Sequence, residues 1–288
     1  MKKIITFFLI LFAIISCEDI VDVDLKTSQE RLVVNASLNW YRDYPQNEMQ
    51  LGNMQSIILT KTTEYYNEIQ PASNAIVTVT NNNTKEVFNF FEDANKGIYN
   101  CANFKPILYN SYTLHIIDGT QEYIAKETLI DTPKIDAIQQ VRGGVFDEDQ
   151  IILKVFYTDN ANKTNYYYFD YITSISEIKE LSVSNDRFNN GNQTYEIISY
   201  FSDDEDKKIQ DGDIFDIKFF EISSEYYQFL NVLTDQIYTS GIFDPVPAEV
   251  KGNIINTVDK QNYPYGYFRV ALGNKATVVI DEDQIIEN

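Results

Sequence analysis

Cysteine and histidine are scarce in this sequence. It contains two cysteines, Cys17 and Cys101, and one histidine, His115. Two cysteines cannot build the disulfide framework that stabilises many small secreted domains, so the fold must depend on its apolar core. A lone histidine excludes a zinc site made of several histidines. We therefore expect no metal and no cofactor, and we expect Cys101 to be a buried, small apolar residue.

Positive charge is also low. The chain has 23 Lys and Arg residues against 43 Asp and Glu residues, which gives a formal net charge of −20 at pH 7. So acidic a surface repels phosphate backbones and anionic lipid head groups. We expect no nucleic-acid partner. Because carboxylates occur throughout the chain, no single pair stands out as catalytic.

A short apolar run opens the sequence. Ile4–Ile15 is broken only by Thr6 and follows the positive start Met1-Lys2-Lys3. This pattern is typical of a secretory signal peptide, and it is shorter than the roughly 20 residues that span a bilayer. We predict a lipoprotein signal peptide over residues 1–16.

The residues at the end of that run predict how it is cut. Ile14, Ser16 and Cys17 fit the site at which lipoprotein signal peptides are cleaved, with the cysteine becoming lipidated. An ordinary signal peptidase favours a small residue where Ile14 stands. We predict lipidation of Cys17. The alternatives are an ordinary signal peptide with an incidental cysteine, or an uncleaved anchor.

Acidic residues follow the cysteine at once. Glu18 and Asp19 are its neighbours, and Asp22 and Asp24 come soon after. They resemble the signal that sends lipoproteins of Bacteroidetes to the outer face of the outer membrane. The alternative is a polar, solvated tether without a signal. We predict a lipidated acidic tether over 17–29, and a protein anchored in the outer membrane and facing outward.

Strands are predicted next. Arg31–Trp40 alternates apolar and polar residues with period two, as a half-buried strand does. Asp118-Gly119 strongly favours a hairpin turn. Short strands at this spacing, without helical periodicity between them, predict a β-sandwich domain over 30–132. Its other strands are predicted at Ile57–Thr62, Ala75–Thr80, Val87–Phe91, Gly97–Tyr99, Ser111–Ile117 and Glu122–Leu129.

A second β-rich domain is predicted over 133–288, after Thr132-Pro133. One substantial α-helix is predicted near 223–240, because four apolar residues recur at helical spacing: Tyr226, Leu230, Leu233 and Ile237. Ser223 or Ser224 would cap its start and Gly241 would close its end. The strands are predicted at Lys134–Val141, Ile151–Thr158, Asn165–Ile175, Thr194–Phe201, Asp213–Phe220, Gly266–Ala271 and Ala276–Ile280.

No residue is predicted to be catalytic. The chain lacks a Gly-x-Ser-x-Gly elbow, so His115 is interpreted as structural. The acidic loop from Asp203 to Asp213 departs from calcium-loop spacing, since Ile209 stands where glycine is required. A solvated loop is the simpler interpretation, and Asp147-Glu148-Asp149 is interpreted as a polar turn.

The order of several segments resembles a known family. After the lipidation site come LVVNASL, NAIVTVTN, GIY, YTLHII and EYIAKETL, and later Tyr226–Leu230, Phe243–Ala248, Gly252-Asn253-Ile254 and Gly266-Tyr267-Phe268. This series resembles a Bacteroidetes outer-membrane lipoprotein family, the DUF 4249 family, a domain of unknown function. The resemblance covers nearly the whole chain after the leader, and it brings no catalytic motif.

The resemblance implies a fold and a role. The first domain is expected to be an Ig-like or prealbumin-like sandwich, and the protein to be a non-enzymatic binding or accessory component that works with a TonB-dependent transporter. Its ligand is left open. One alternative is a secreted cell-surface hydrolase whose acidic residues act as general acid and base. Another is a purely structural or adhesive envelope protein.

Overall fold

The computed structural model describes residues 29–50, 54–63, 67–144, 147–202, 208–238 and 249–287. Within these ranges the chain is mainly β, as predicted. Three features predicted from the sequence lie outside them: the signal peptide and tether with Cys17, Glu18 and Asp19; the acidic run 203–207; and the segment 239–248.

The strands follow the chain in two series. The first series is β1 (Leu32–Asp43), β2 (Glu48–Gln50), β3 (Gln55–Lys61), β4 (Gln70–Pro71), β5 (Ile76–Asn81), β6 (Val87–Glu92), β7 (Ile98–Cys101), β8 (Ser111–Asp118), β9 (Gln121–Thr128) and β10 (Ile130–Asp131). The second series is β11 (Ile135–Arg142), β12 (Ile151–Thr158), β13 (Tyr166–Thr173), β14 (Glu180–Asn185), β15 (Gln193–Ile198), β16 (Ile214–Ile222), β17 (Ile255–Asn256), β18 (Tyr265–Val279) and β19 (Ile286–Glu287). An α-helix, α1 (Ser224–Tyr238), follows β16, and a 3-10 turn at Glu282–Gln284 precedes β19.

The first series, together with β17 and part of β18 from the second, forms a sandwich around one apolar core. One layer has the order β18-β1-β3-β7, and the other has the order β6-β5-β8-β9-β17. β6 pairs with β5 through its first residues and with β7 through its last, so it links the two layers. The alternation of β1 directs Val34, Ala36, Leu38 and Trp40 into this core, where they are buried.

The second series forms another sandwich. A layer with the order β14-β13-β16-β18 packs on a four-stranded sheet with the order β15-β12-β11-β19. Aromatic rings fill the space between them: Tyr157 and Phe219 have ring centroids 4.7 Å apart, and Phe169 stacks on Phe219 at 4.4 Å. Burying rings of this size is a main source of stability, at roughly 1.5–3 kcal/mol for a buried phenylalanine.

β18 joins the two sandwiches. Its first part runs parallel to β1, with Val33 opposite Tyr265, and its second part runs antiparallel to β16, with Ile217 opposite Ala276. The sequence predicted two separate strands here, Gly266–Ala271 and Ala276–Ile280, and this prediction was wrong. A single strand continues through Gly273, Asn274 and Lys275, because these residues pair with Tyr41, Arg42 and Asp43 of β1.

The predicted helix is confirmed as α1. Ser223 caps its start, since its Oγ accepts a hydrogen bond from the Tyr226 amide at 3.4 Å. Tyr226 and Leu230 are buried on the side that faces the sheet, where they join Phe220, Tyr267 and Ala271 in a third apolar cluster. α1 therefore covers the outer face of the sheet that β13, β16 and β18 share, instead of forming part of either sandwich core. None of the helices in the described ranges is long and apolar enough to cross a membrane.

The predicted division of the chain at residues 132 and 133 stays a prediction. Up to β16, strands that precede the division pack in the first sandwich and strands that follow it pack in the second. After β16 this order breaks, because the core of the first sandwich also contains Ile254, Phe268, Val270 and Leu272. The C-terminal part of the chain thus contributes side chains to both sandwiches.

Candidate functional site

His115 lies on the outer face of the first sandwich. Its Nε2 is 2.6 Å from Oε1 of Glu122, and Oε2 of Glu122 accepts a hydrogen bond from the Thr257 hydroxyl at 3.0 Å. These hydrogen bonds hold the pKa of Glu122 below its ordinary value. The arrangement ties β8 and β9 to the segment after β17, as expected of a structural histidine.

The other residues considered in the sequence also have structural contacts. Cys101 is a free, buried cysteine, as predicted, and its Sγ is 3.0 Å from Oδ1 of Asn103. Asp147 accepts a hydrogen bond from the Asp149 amide and pairs with Lys208 at 3.4 Å. Within the described ranges, no three histidine, cysteine or acidic side chains meet in a way that would hold a metal ion.

The sequence did not single out the site that the fold builds beside α1. It lies on the outer face of β1 and β18, where register places Ser37 opposite Arg269 and Asn39 opposite Ala271. Register partners in a parallel pair share a face, so these side chains point away from the core of the first sandwich. Asn39 and Ser37 are half-buried on β1, while Tyr226 of α1 stands over β18 beside them.

A buried guanidinium is the centre of this site. Arg269 is only 5% exposed. Its Cζ lies 4.2 Å from the ring centroid of Phe220, 5.2 Å from that of Tyr226 and 5.5 Å from that of Tyr168. These three aromatic rings, together with Arg269, are called the Arg269 cage below. The electron-rich faces of the rings stabilise the positive charge, an effect that grows when water is excluded.

The cage leaves hydrogen-bonding groups unused. Nε and Nη1 of Arg269 are buried and have no partner, and no hydrogen bond joins the guanidinium to any residue in the described ranges. On the neighbouring strand, Oδ1 of Asn39 is likewise buried without a partner. Such groups are rare in folded proteins because each one has lost its hydrogen bonds to water without replacing them. Unused donors and an unused acceptor therefore lie on adjacent strands of the same face.

Burial controls the ionisation of the groups around the cage. It raises the pKa of Glu127, while hydrogen bonds from the Thr128 amide and the Ser223 hydroxyl, and the charge of Arg269, oppose that rise. It also raises the pKa of Tyr41 to about 12, again opposed by Arg269. The hydroxyl of Tyr41 therefore stays neutral at pH 7, and Arg269 is the positive charge of the site.

This chemistry suits binding. A guanidinium with free N–H groups recognises carboxylates, and aromatic rings supply the apolar contact that ligand sites commonly have. Sequence reasoning missed the site because Arg269 stands in the stretch Gly266–Ala271, which was predicted only to be a strand. A lone arginine within an otherwise apolar strand was the available signal.

The family assignment follows from a direct comparison. A family model described as "Domain of unknown function (DUF4249)" matches residues 18–275. The chain is a member of the DUF4249 family. This confirms the family, DUF4249, that the sequence resembles. The match begins at Glu18 and ends at Lys275, within β18, so the Arg269 cage lies within the DUF4249 region.

Other comparisons add little to this assignment. No curated protein sequence matches the DUF4249 protein. Solved structures that match it include a two-domain fibronectin type III segment of chicken tenascin, with 10% identity, a TM-score of 0.23, and coverage of 68% of this chain and 93% of that one. A DUF4785 family protein from Legionella pneumophila has 10% identity and a TM-score of 0.28, with 68% and 54% covered. The chicken interferon gamma receptor alpha chain has 14% identity and a TM-score of 0.21, with 58% and 83% covered. At such scores these likenesses carry no argument about the DUF4249 protein.

Proposed function

We propose that this protein is a lipoprotein of the outer membrane, exposed at the cell surface, that binds a ligand or partner without catalysing a reaction. The observation that carries this proposal is the sequence Ile14-Ile15-Ser16-Cys17, which follows an apolar leader and precedes Glu18-Asp19. The lipid chains on Cys17 would hold the mature chain at a membrane, since each buried methylene contributes about 0.8 kcal/mol.

We propose that the protein acts as an accessory component and that its partner is a TonB-dependent transporter. The family resemblance supports it, because such lipoproteins are often associated with these receptors. The Arg269 cage supports a binding role, because it presents buried hydrogen-bonding groups that lack partners within the described residues. A surface protein that captures a ligand for uptake requires a site of this kind.

The hydrolase alternative has less support. Burial raises the pKa of Glu127, Glu196 and Glu221, as a general acid would require. Each of these carboxyl groups, however, has a structural partner: Ser223 for Glu127, Ser182 for Glu196 and Lys163 for Glu221. No specific contact within the described ranges favours catalysis, or a purely adhesive role, over binding.

Replacing the cysteine tests the anchor. Cys17→Ala should leave the protein outside the membrane fraction, because no residue remains to carry the lipid. The matched control is Cys101→Ala, which should stay in the membrane fraction. Recovery of Cys17→Ala in the membrane to the same extent as wild type would show that the anchor assignment is wrong. Protease added to intact cells should degrade the wild-type protein. If the protein is protected, it faces the periplasm and not the cell exterior.

Purification tests the partner. The protein should be isolated through an affinity tag from gently solubilised outer membranes. We expect a β-barrel transporter to be recovered with it in near-equal amount. Recovery of the protein alone, with turnover of glycans or peptides that is lost when one carboxylate is neutralised, would replace the proposed function with the hydrolase alternative.

A further inference from the structure

We propose that the Arg269 cage, with Asn39 beside it, is a binding site for a small carboxylate ligand that also carries a hydroxyl or amino group. This deepens the proposed binding function and rests on it, because it names the chemical class of the ligand.

The unused donors of Arg269 point to an anion. Contact with the ring of Phe220 at 4.2 Å stabilises the charge but takes none of its N–H groups. Two of the guanidinium nitrogens, Nε and Nη1, are buried without a partner. Leaving buried donors of a charged group unpaired is costly, whereas pairing them with a carboxylate gives short, strong hydrogen bonds. A bound carboxylate would remove this cost.

The surroundings favour a ligand with a single negative charge. Arg269 is the cation of the cage, and acidic groups lie near it. The charges of Glu127 and Asp170 both act on its neighbours, on Tyr267 and on Tyr41 respectively. Asp170 is partly neutralised by Lys218, which is 3.6 Å away. Because these acidic groups would repel a second negative charge on the ligand, a monocarboxylate fits better than a phosphate dianion.

Asn39 adds a requirement for a donor on the ligand. Its Oδ1 is a buried acceptor without a partner. Asn39 lies two residues along β1 from Ser37, the register partner of Arg269. Two residues of a strand span roughly 7 Å, so one compact molecule can reach both groups. The carboxylate would pair with Arg269, and a hydroxyl or amino group would donate to Asn39. The rings of Tyr168 and Tyr226 would contact its apolar part.

Mandelate is a suitable probe because it has a carboxylate, a neighbouring hydroxyl and an aromatic ring. The full chain, purified in detergent, would be labelled with ¹⁵N-arginine, and the Nε–H signals of its five arginines would be followed by NMR: Arg31, Arg42, Arg142, Arg187 and Arg269. We expect one signal to shift in a saturable manner with mandelate but not with mandelamide, its neutral amide. That signal should be missing in Arg269→Lys. The affinity of this variant for mandelate should fall about tenfold, because lysine lacks the planar guanidinium fork.

Two variants complete the test. Arg187→Lys is the matched control, since Arg187 is exposed and contacts Phe188, and it should bind mandelate as wild type does. Asn39→Ala should weaken mandelate by about fivefold and leave phenylacetate, which lacks the hydroxyl, unaffected. The proposal is overturned if no Nε–H signal of the wild-type protein shifts in a saturable manner, or if the responding signal persists in Arg269→Lys. Neither result depends on the anchor, because membrane fractionation of Cys17→Ala is a separate measurement.

Discussion

Phe220 packs directly on the backbone of Gly273. A Cβ at Gly273 would lie 2.4 Å from Cδ1 of Phe220 and 2.6 Å from the carbonyl oxygen of Phe219. Both distances are shorter than any real contact, so the glycine makes the space in which Phe220 lies. Because Phe220 also stacks against Arg269, this glycine helps to build the cage from the neighbouring strand.

Gly273→Ala should therefore destabilise the protein by about 1–3 kcal/mol, the usual cost of overpacking. The reason is that Phe220 and a backbone carbonyl would both have to move. Urea unfolding would measure the change. Lys275→Ala is the control, because it places an alanine at an exposed position of the same strand and should change stability by no more than about 0.5 kcal/mol. Equal stability of the two variants would contradict this account of Gly273.

Lys163 and Glu221 form an ion pair in which the carboxylate is buried. Burial raises the pKa of Glu221, and Lys163 opposes that rise. Lys163→Met should cost about 1–3 kcal/mol near neutral pH, because a buried carboxylate would lose a partner whose own side chain is 41% exposed. The cost should shrink as the pH falls and Glu221 takes up a proton.

The control for this pair is Lys96→Met, which removes an exposed pair with Asp93 at 3.8 Å and should change stability by less than about 1 kcal/mol. Unfolding free energies of both variants, measured from about pH 5 to about pH 8, provide the comparison. A cost for Lys163→Met that does not vary with pH would show that lost packing, and not the charge of Glu221, is responsible.

Glu196 joins the two sheets of the second sandwich. It accepts hydrogen bonds from the hydroxyls of Ser182 and Ser184 on β14, and burial raises its pKa. In the folded state, Glu196 therefore keeps its carboxyl proton at a pH at which the unfolded chain has lost it. The wild-type protein gains stability as the pH falls through the folded pKa, and it carries the full cost of the buried charge above it.

Glu196→Gln removes that charge and keeps the shape. Its stability relative to wild type should be highest at about pH 8 and should decline as the pH falls and the wild-type carboxyl becomes neutral. Thermal unfolding of both proteins, measured from about pH 8 down to about pH 5, would give the difference in stability. Glu86→Gln, at an exposed position, should show no such trend. A constant difference between Glu196→Gln and wild type would exclude a change of protonation at this residue.

Phe104 is the centre of an aromatic cluster in the first sandwich. Its ring centroid is 4.4 Å from that of Phe88 and 5.1 Å from that of Trp40. Phe104→Ala should cost about 3–5 kcal/mol, through the lost apolar contact and the cavity left behind. Since Trp40 is the single tryptophan of the sequence, its fluorescence reports on this site directly. Phe91→Ala, at a side chain that is 72% exposed, should have little effect on either stability or fluorescence.

The sequence predicted the strands with clear alternation but missed β14, which has none. β1 and β8 alternate buried and half-buried side chains, and both lie where expected. β14 was missed because every residue from Glu180 to Asn185 is half-buried, so no apolar face appears in the sequence. β18 was divided in two because Gly273-Asn274-Lys275 has the composition of a turn, although pairing with β1 keeps it extended.

The candidate site was less predictable than the fold. Alternation assigned Arg269 to the same face as Tyr267 and Ala271, but it could not reveal that α1 would cover this face. The cage depends on rings from β13, β16 and α1, which come together only through the tertiary fold. The lipidation site is the opposite case, since a peptidase recognises it from a few consecutive residues.

The position of β18 has a consequence for how the chain can fold during synthesis. The first long strand, β1, lies beside one of the last, with Ala36 opposite Phe268. Contacts between such distant residues form slowly, because a long stretch of chain must first be ordered. A ribosome releases the N-terminal half first, yet that half lacks one wall of its own core until Ile254–Leu272 has been made. Truncation after residue 253 would therefore damage the sandwich that begins at residue 32, far from the cut.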